Sequence, residues 1–272
     1  MYLLSTISIL GTMTTYDNAI IGHTPYVNGM FPFESRISPT TYECGPGGSM
    51  KLHSLMLHLQ EAAARHADVL GWGMDWLRKN GSIWVLVNFR MDLVRAPRWG
   101  EDISLFTWPA GHDAIRAFRE FRGIAEGGEE RFTASSDWII LDAQSKMPRV
   151  LSEVDFSVVE TTKRSLPPPL RLKETGEYAP VYKALVGSSS IDMNTHVNNT
   201  EYIRWGMDAL SQIGIGTDAV RFFNITFSSE LFQGDEIEVG IRDEEGGIHA
   251  LRGKRTSDGR TAFLMEVRTS EQ

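Results

Sequence analysis

Asp192, Asn194 and His196 stand at alternating positions in the stretch "GSSSIDMNTHVNNTEYIRWG". An acid, an amide and an imidazole so spaced project toward one side of an extended strand end or a tight loop. Asn198, Asn199 and Thr200 follow as N-cap candidates for a helix that includes Tyr202, Trp205 and Leu210. The capped end of such a helix presents unpaired N–H groups and the positive end of its dipole. A carbonyl placed there would find donors for a developing oxyanion, help worth roughly 10²–10³ in rate per donor. Glu230 comes next, in the strand-like "NITFSSELFQGDEI". A carboxylate there could face a sheet–helix interface close to Asp192 and His196. Partial burial would raise its pKa unless a cation or donors paired with it. The imidazole and an amide could be those partners. Together the set can polarise a water molecule for attack on an activated acyl group, with general-base assistance worth about 10²–10⁴-fold. Any one of these residues alone reads as a cap or a structural histidine. Their combination in one short loop is what points to chemistry.

The elements that must hold these residues repeat along the chain. "FESRISPTTYECGPGGSM" alternates like a strand, and "LHSLMLHLQEAAARHADVLG" carries apolar residues at helical spacing up to Gly71. Long strands joined by glycine-containing hairpins follow, through "SSDWIILD". The second part repeats the plan: strand-like "YKALVGSSSI", helical "NNTEYIRWGMDALSQIG", then a run of strands to Val267. The expected divisions are a flexible tail over 1–32, a first unit over 33–163, a Pro-rich linker over 164–180 and a second unit over 181–268. Each unit reads as an antiparallel sheet wrapped round one central helix, an α+β architecture, because a lone helix needs an apolar sheet face to cover it.

Met91–Leu105 lies over Ile225–Val239 without a gap, with Gly100 on Gly234 and Ile103 on Ile237. In that match Ala96 stands where the second half has Glu230. The first-half loop "YECGPGGSMKLHS" has no acid–amide–imidazole set, and Met50 is the expected counterpart of His196. If the polar residues only capped and packed this architecture, both halves would need them. One reactive centre per chain follows, with the first half as scaffold or acyl pocket. Leu55, Leu59, Ala63, Trp84, Leu86, Met91 and Leu93 are candidate walls for an apolar slot.

At these residues the chain resembles the acyl-acyl carrier protein thioesterases. "DMNTHVNNTEYIRW" is similar to that family's Asp-x-Asn-x-His-Val-Asn-Asn segment. "LQEAAARHADVLGWGMDWL" and "PRWGEDISLFTWPAG" resemble its first-half signatures. The resemblance runs from about Phe33 to Val267. It implies a double hotdog fold, two tandem hotdog units, and hydrolysis of a fatty acyl thioester on the carrier protein's phosphopantetheine arm, ending fatty-acid synthesis. It also implies a catalytic set of Asp192, Asn194, His196 and Glu230. Plant members commonly carry Cys after that Glu; here the residue is Leu231, and Cys44 stands in the other half. A water-based or carboxylate-based route therefore remains. Glu230, oriented by His196, would activate water. Asn194 and helix N–H groups would hold the carbonyl. Asp192 would orient the group or act as nucleophile. An acyl-CoA thioesterase with the same site, or a non-catalytic acyl-binding hotdog protein, are the alternatives.

Bulk properties narrow the partners. The chain has 272 residues, 42% hydrophobic, with a formal net charge of −8, and a pI near 5.4. Nucleic-acid binding is not expected, because it needs a basic face. No metal or nucleotide motif is present, so no cofactor is expected. No apolar run reaches membrane length, and the single Cys44 suits a reducing compartment. These features suggest a cytoplasmic monomer or homodimer. Its expected partner, acyl carrier protein, is acidic in this family and would need a local basic patch. Arg116, Arg119 and Arg122, or Lys163, Arg164, Arg171 and Lys173, are the candidates.

Overall fold

The computed structural model describes residues 32–154 and 164–270. All but the last residue of the expected tail lies outside them. Strand β1, Phe33–Ile37, comes first. It is shorter than the alternation suggested, since the chain turns at Thr41 and only the isolated bridges Cys44–Met50 and Ser49–Arg98 lie beyond it in that stretch. Helix α1, Leu52–Val69, buries the stripe Leu52, Leu55, Met56, Leu59, Ala62 and Ala63. Gly71, at φ 82°, takes the left-handed position just past its C-cap. A short helix α2, Met74–Lys79, follows, unmarked by any long periodicity. Then come β2 (Ser82–Leu93), β3 (Ile103–His112), β4 (Arg116–Ala125) and β5 (Glu130–Asp142). The second series is β6 (Ala179–Leu185), helix α3 (Asn199–Gln212), β7 (Val220–Phe227), β8 (Glu236–Glu244), β9 (Ile248–Arg255) and β10 (Thr261–Thr269).

All ten strands join one antiparallel sheet in the order β1-β3-β4-β5-β2-β7-β10-β9-β8-β6. Read outward from the centre, each half has the same order: its second strand inside, its first strand at the edge. The halves meet where β2 pairs with β7, Asn88 against Thr226 through Asp92 against Phe222. Phe89 and Phe223 stack across this seam at 5.7 Å, and a single apolar core runs through both halves. Helices α1 and α3 pack against each other on one face of the sheet. The repeat reaches to individual packing contacts. Gly123 on β4 faces Phe132, and Gly253 on β9 faces Phe263. A Cβ would lie 2.2 Å from the ring of Phe132 in the first case and 2.0 Å from that of Phe263 in the second. Only glycine lets the ring lie flat there.

The Pro-rich segment is hydrogen-bonded across the sheet. Ser165 N, Ser165 Oγ and Leu166 N donate to the fully buried Glu120 carboxylate on β4. Asn224 on β7 exchanges two bonds with the Leu170 backbone, and Thr226 accepts from Leu172 N. Glu174 then meets Arg252 on β9 and Thr261 on β10. Polar residues that an antiparallel sheet would ordinarily turn to water are thus satisfied by chain.

Candidate active site

The polar loop is a tight turn between two bridged residues, Ile191 and Val197. Asp192 N donates to His196 O at 2.9 Å, and Thr195 N donates to Asp192 O at 3.0 Å. The Asp192 carboxylate accepts from Asn194 N at 2.8 Å, an Asx turn that fixes the loop's own backbone. Thr195 sits at φ 66°, a left-handed conformation that costs a β-branched residue roughly 1–3 kcal/mol.

The first half contains the same turn. Cys44 and Met50 bridge, Gly45 N donates to Ser49 O at 2.9 Å, and Gly48 N donates to Gly45 O at 2.9 Å. Gly48, at φ 80°, stands where Thr195 does. This corrects the expected pairing by one residue: the counterpart of His196 is Ser49, and Met50 corresponds to Val197. Gly45 and Gly47 occupy the places of Asp192 and Asn194. The next tie agrees, since Met50 N donates to Pro97 O at 2.7 Å and Val197 N to Leu231 O at 3.1 Å. Ala96 therefore stands in for Glu230, as in the gapless match. One backbone turn is built twice, bare in one copy and furnished in the other.

Glu230 lies beyond the end of β7, in the connection to β8, where a strand position was expected. Its side chain is 42% exposed, more open than a partly buried interface position, and its Oε1 lies 3.7 Å from His196 Nδ1. That is too long for a hydrogen bond. The edge of Phe232 meets the His196 ring at 5.3 Å between centroids. Two bonds fix the Glu230 backbone. Tyr202 on α3 donates its hydroxyl to Ser229 O at 3.3 Å and accepts from Leu231 N at 3.2 Å. Burial pushes the Tyr202 phenol well above its ordinary pKa, so it stays a donor. Leu231 itself is fully buried, and the place of the plant-type cysteine holds an inert core side chain. Asn198 is the N-cap of α3 and accepts from Thr200 N, while Glu201 N donates to Asn198 O.

A cavity of about 840 Å³ opens beside this turn. Its lining comes from α1, α2 and strands β2 to β5 of the first half, together with Asp192, Asn194, Asn198 and Asn199 of the second. His196 and Glu230 are not in the lining; their side chains face each other at 3.7 Å. Of the expected walls, Ala63 and Trp84 line the cavity. Leu55, Leu59, Leu86, Met91 and Leu93 belong instead to the packed core. Trp72, Met74, Leu77, Phe118 and Trp138 line it without having been foreseen, because a two-residue alternation does not say which end of a strand meets empty space and the short α2 carries no long periodicity.

The expected basic patch on β4 is not there. Arg119 is buried, Arg116 pairs with Asp113 and Asp137, and Arg122 pairs with Glu130. Arg164 is held by Asp137 and lies 3.9 Å over the Phe118 ring. Lys163 lies outside the described residues. Arg171 and Lys173 are exposed on the Pro-rich segment.

Models of the acyl-ACP thioesterase N-terminal and C-terminal domains match residues 32–156 and 180–269. The chain is 22% identical to oleoyl-acyl carrier protein thioesterase 1, chloroplastic, of Arabidopsis thaliana, over 83% of this chain and 67% of that protein. It is 29% identical to a chloroplastic palmitoyl-acyl carrier protein thioesterase of Cuphea hookeriana, over 79% of this chain and 56% of that protein. Among solved structures, an acyl-ACP thioesterase from Bacteroides thetaiotaomicron superposes with a TM-score of 0.74 at 22% identity, covering 87% of this chain and 97% of that one. A 12:0-ACP thioesterase from Umbellularia californica gives 0.77 at 17% identity, covering 88% and 97%. The superpositions show the shared double hotdog fold.

Proposed function

The chain belongs to the acyl-ACP thioesterase family and is a hydrolase of fatty acyl thioesters on the carrier protein; on that premise we propose that the Asp192–His196 turn and Glu230 carry the hydrolysis. The observation that supports this most is the composite cavity. It is walled by the first half and reaches Asp192, Asn194 and Asn199 on the turn that also carries His196, whose ring lies 3.7 Å from Glu230. The acyl chain occupies the cavity and the thioester carbonyl lies at the turn. Glu230, open enough to meet solvent, takes a proton from water as its oxygen attacks the carbonyl carbon. His196 orients that carboxylate. Thr200 and Glu201 N–H are already engaged at the cap. The donors for the oxyanion therefore narrow to the Asn194 amide and the Asn199 N–H. The C–S bond then breaks, and the pantetheine thiolate takes the proton back.

Asp192 Oδ1 accepts from Asn194 N and so braces the turn, which favours an orienting role over nucleophilic attack. Solvent ¹⁸O appearing in a carboxylate side chain after one turnover would reject direct water attack. Glu230→Ala and His196→Ala should each lower kcat by about 10²–10⁴-fold while the variants stay folded. If both retain near-full turnover, the assignment is wrong.

The carrier protein docks through Arg171 and Lys173, exposed on the Pro-rich segment beside an otherwise acidic chain. Reversing both charges should raise KM for the carrier-bound substrate and spare a small thioester. No helix among the described residues is long and apolar enough to cross a membrane. The proposed place of action is the cytoplasm, to be checked by fractionation. Light scattering decides between monomer and homodimer.

A further inference from the structure

Arg119 is a buried cation in the wall of the cavity, only 9% exposed. Its Nη1 donates to His66 Nδ1 at 3.1 Å and to Thr107 Oγ1 at 3.2 Å. His66 accepts because it is neutral: burial and the adjacent guanidinium push its pKa down to about 3. Among the described residues no carboxylate pairs with Arg119. Burial draws the guanidinium down to about 10, so it stays charged at neutral pH. His66 lies in the last turn of α1, whose negative dipole end offsets part of that charge. The other donors of the planar fork have no anionic partner among the described residues either. The cavity lining includes the apolar Ala63, Ala67, Trp84 and Trp138, along with the polar Gln60, Glu61 and Asp68, neither carboxylate of which pairs with Arg119.

A buried charge without an anion is costly, and an unsubstituted hydrocarbon pressed against it would strip its remaining water and offer nothing in return. An oxygen on the chain would accept a charge-assisted hydrogen bond. We infer that this cavity is built for an acyl chain carrying an acceptor oxygen, whether hydroxyl, keto or terminal carboxylate, set against Arg119. The inference rests on the reading that the cavity holds the acyl group of the thioester. It makes Arg119 a residue of substrate choice, with no part in bond cleavage.

The test compares carrier-bound saturated chains with chains of equal length bearing hydroxyl or keto groups at successive positions, or a terminal carboxylate. Wild type should favour one oxygenated series over the plain chain by about tenfold or more in kcat/KM, and Arg119→Met should remove or invert that preference. A ratio taken on one protein sample is independent of the fraction folded. If Arg119→Met does not fold, the wild-type ratio decides alone. Equal or better turnover of plain chains by wild type overturns the inference. If no thioester of either kind is cleaved, the hydrolase reading fails instead. Calorimetry of the free acids with wild type then judges the inference separately: tighter binding of an oxygenated acid supports it, and equal or weaker binding overturns it.

Discussion

His66 is a neutral imidazole held beside a permanent cation, and that has a consequence for stability. Its folded pKa, about 3, lies below its ordinary value of 6.5. As pH falls through 6.5 the unfolded chain takes up a proton that the folded chain refuses until about 3. The unfolded state then binds more protons, so stability is intact above the upper value and is lost progressively toward the lower one. The full difference is on the order of 5 kcal/mol. His66→Gln keeps an acceptor for Arg119 and removes the titration, so urea unfolding from pH 7 to pH 4 should fall less steeply for the variant than for wild type. Parallel slopes would contradict a neutral His66. Tyr202→Phe should keep the ring's contacts with Trp205, Phe227 and Phe263 and lose both bonds to the Glu230 segment. About tenfold in kcat, with KM little changed, is expected from steady-state kinetics. Asp192, Asn194 and His196 were legible because three chemically distinct polar residues in one short loop are uncommon and absent from the repeat. Tyr202 and Arg119 were not. In sequence, a hydroxyl on a helix and a guanidinium on an alternating strand look like a capped core and a solvated face.

The elements were legible where burial imposes a period. Both central helices stand where apolar residues recur at helical spacing, and the gapless match correctly placed Gly100 with Gly234, both at positive φ, and Ile103 with Ile237, both fully buried. Turns carry no such period. The match between the two pre-helix loops slipped by one residue because Gly45, Gly47 and Gly48 have no side chains to align with Asp192, Asn194 and Thr195. The Pro-rich segment is opaque for the same reason. Its bonds to Glu120, Asn224 and Thr226 join residues far apart in the chain and leave no local signature. Those bonds predict that Asn224→Ala, which removes the acceptor of Leu170 N–H and leaves Leu170 O only the longer bond from Thr226 Oγ1, destabilises the protein by about 1–3 kcal/mol. A denaturant midpoint equal to that of wild type would show that the segment contributes nothing to stability.

The whole molecule divides its labour across the β2–β7 seam. The first half supplies nearly all of the cavity, and its copy of the polar turn is stripped to glycines, Ser49 and Ala96. The second half supplies the polar turn, and the residues packed around α3 are core. Neither half therefore contains a complete site, and each, alone, would present the long central strand β2 or β7 as an unpaired edge prone to association. The seam itself is a five-residue antiparallel register backed by Phe89 and Phe223, and the Pro-rich segment crosses from one half to the other over it. Cutting the chain within 155–163 leaves that segment attached to the second half, with its bonds to Asn224 and Thr226 intact. Expressed separately, the two pieces should be insoluble or inactive on carrier-bound acyl chains. Expressed together, they should copurify and recover measurable turnover, because the seam and the Glu120 contacts with Ser165 and Leu166 can form between separate chains. Turnover by the second piece alone would mean that the cavity of the first half is not where the acyl chain lies, and both the hydrolytic geometry and the role given to Arg119 would have to be abandoned.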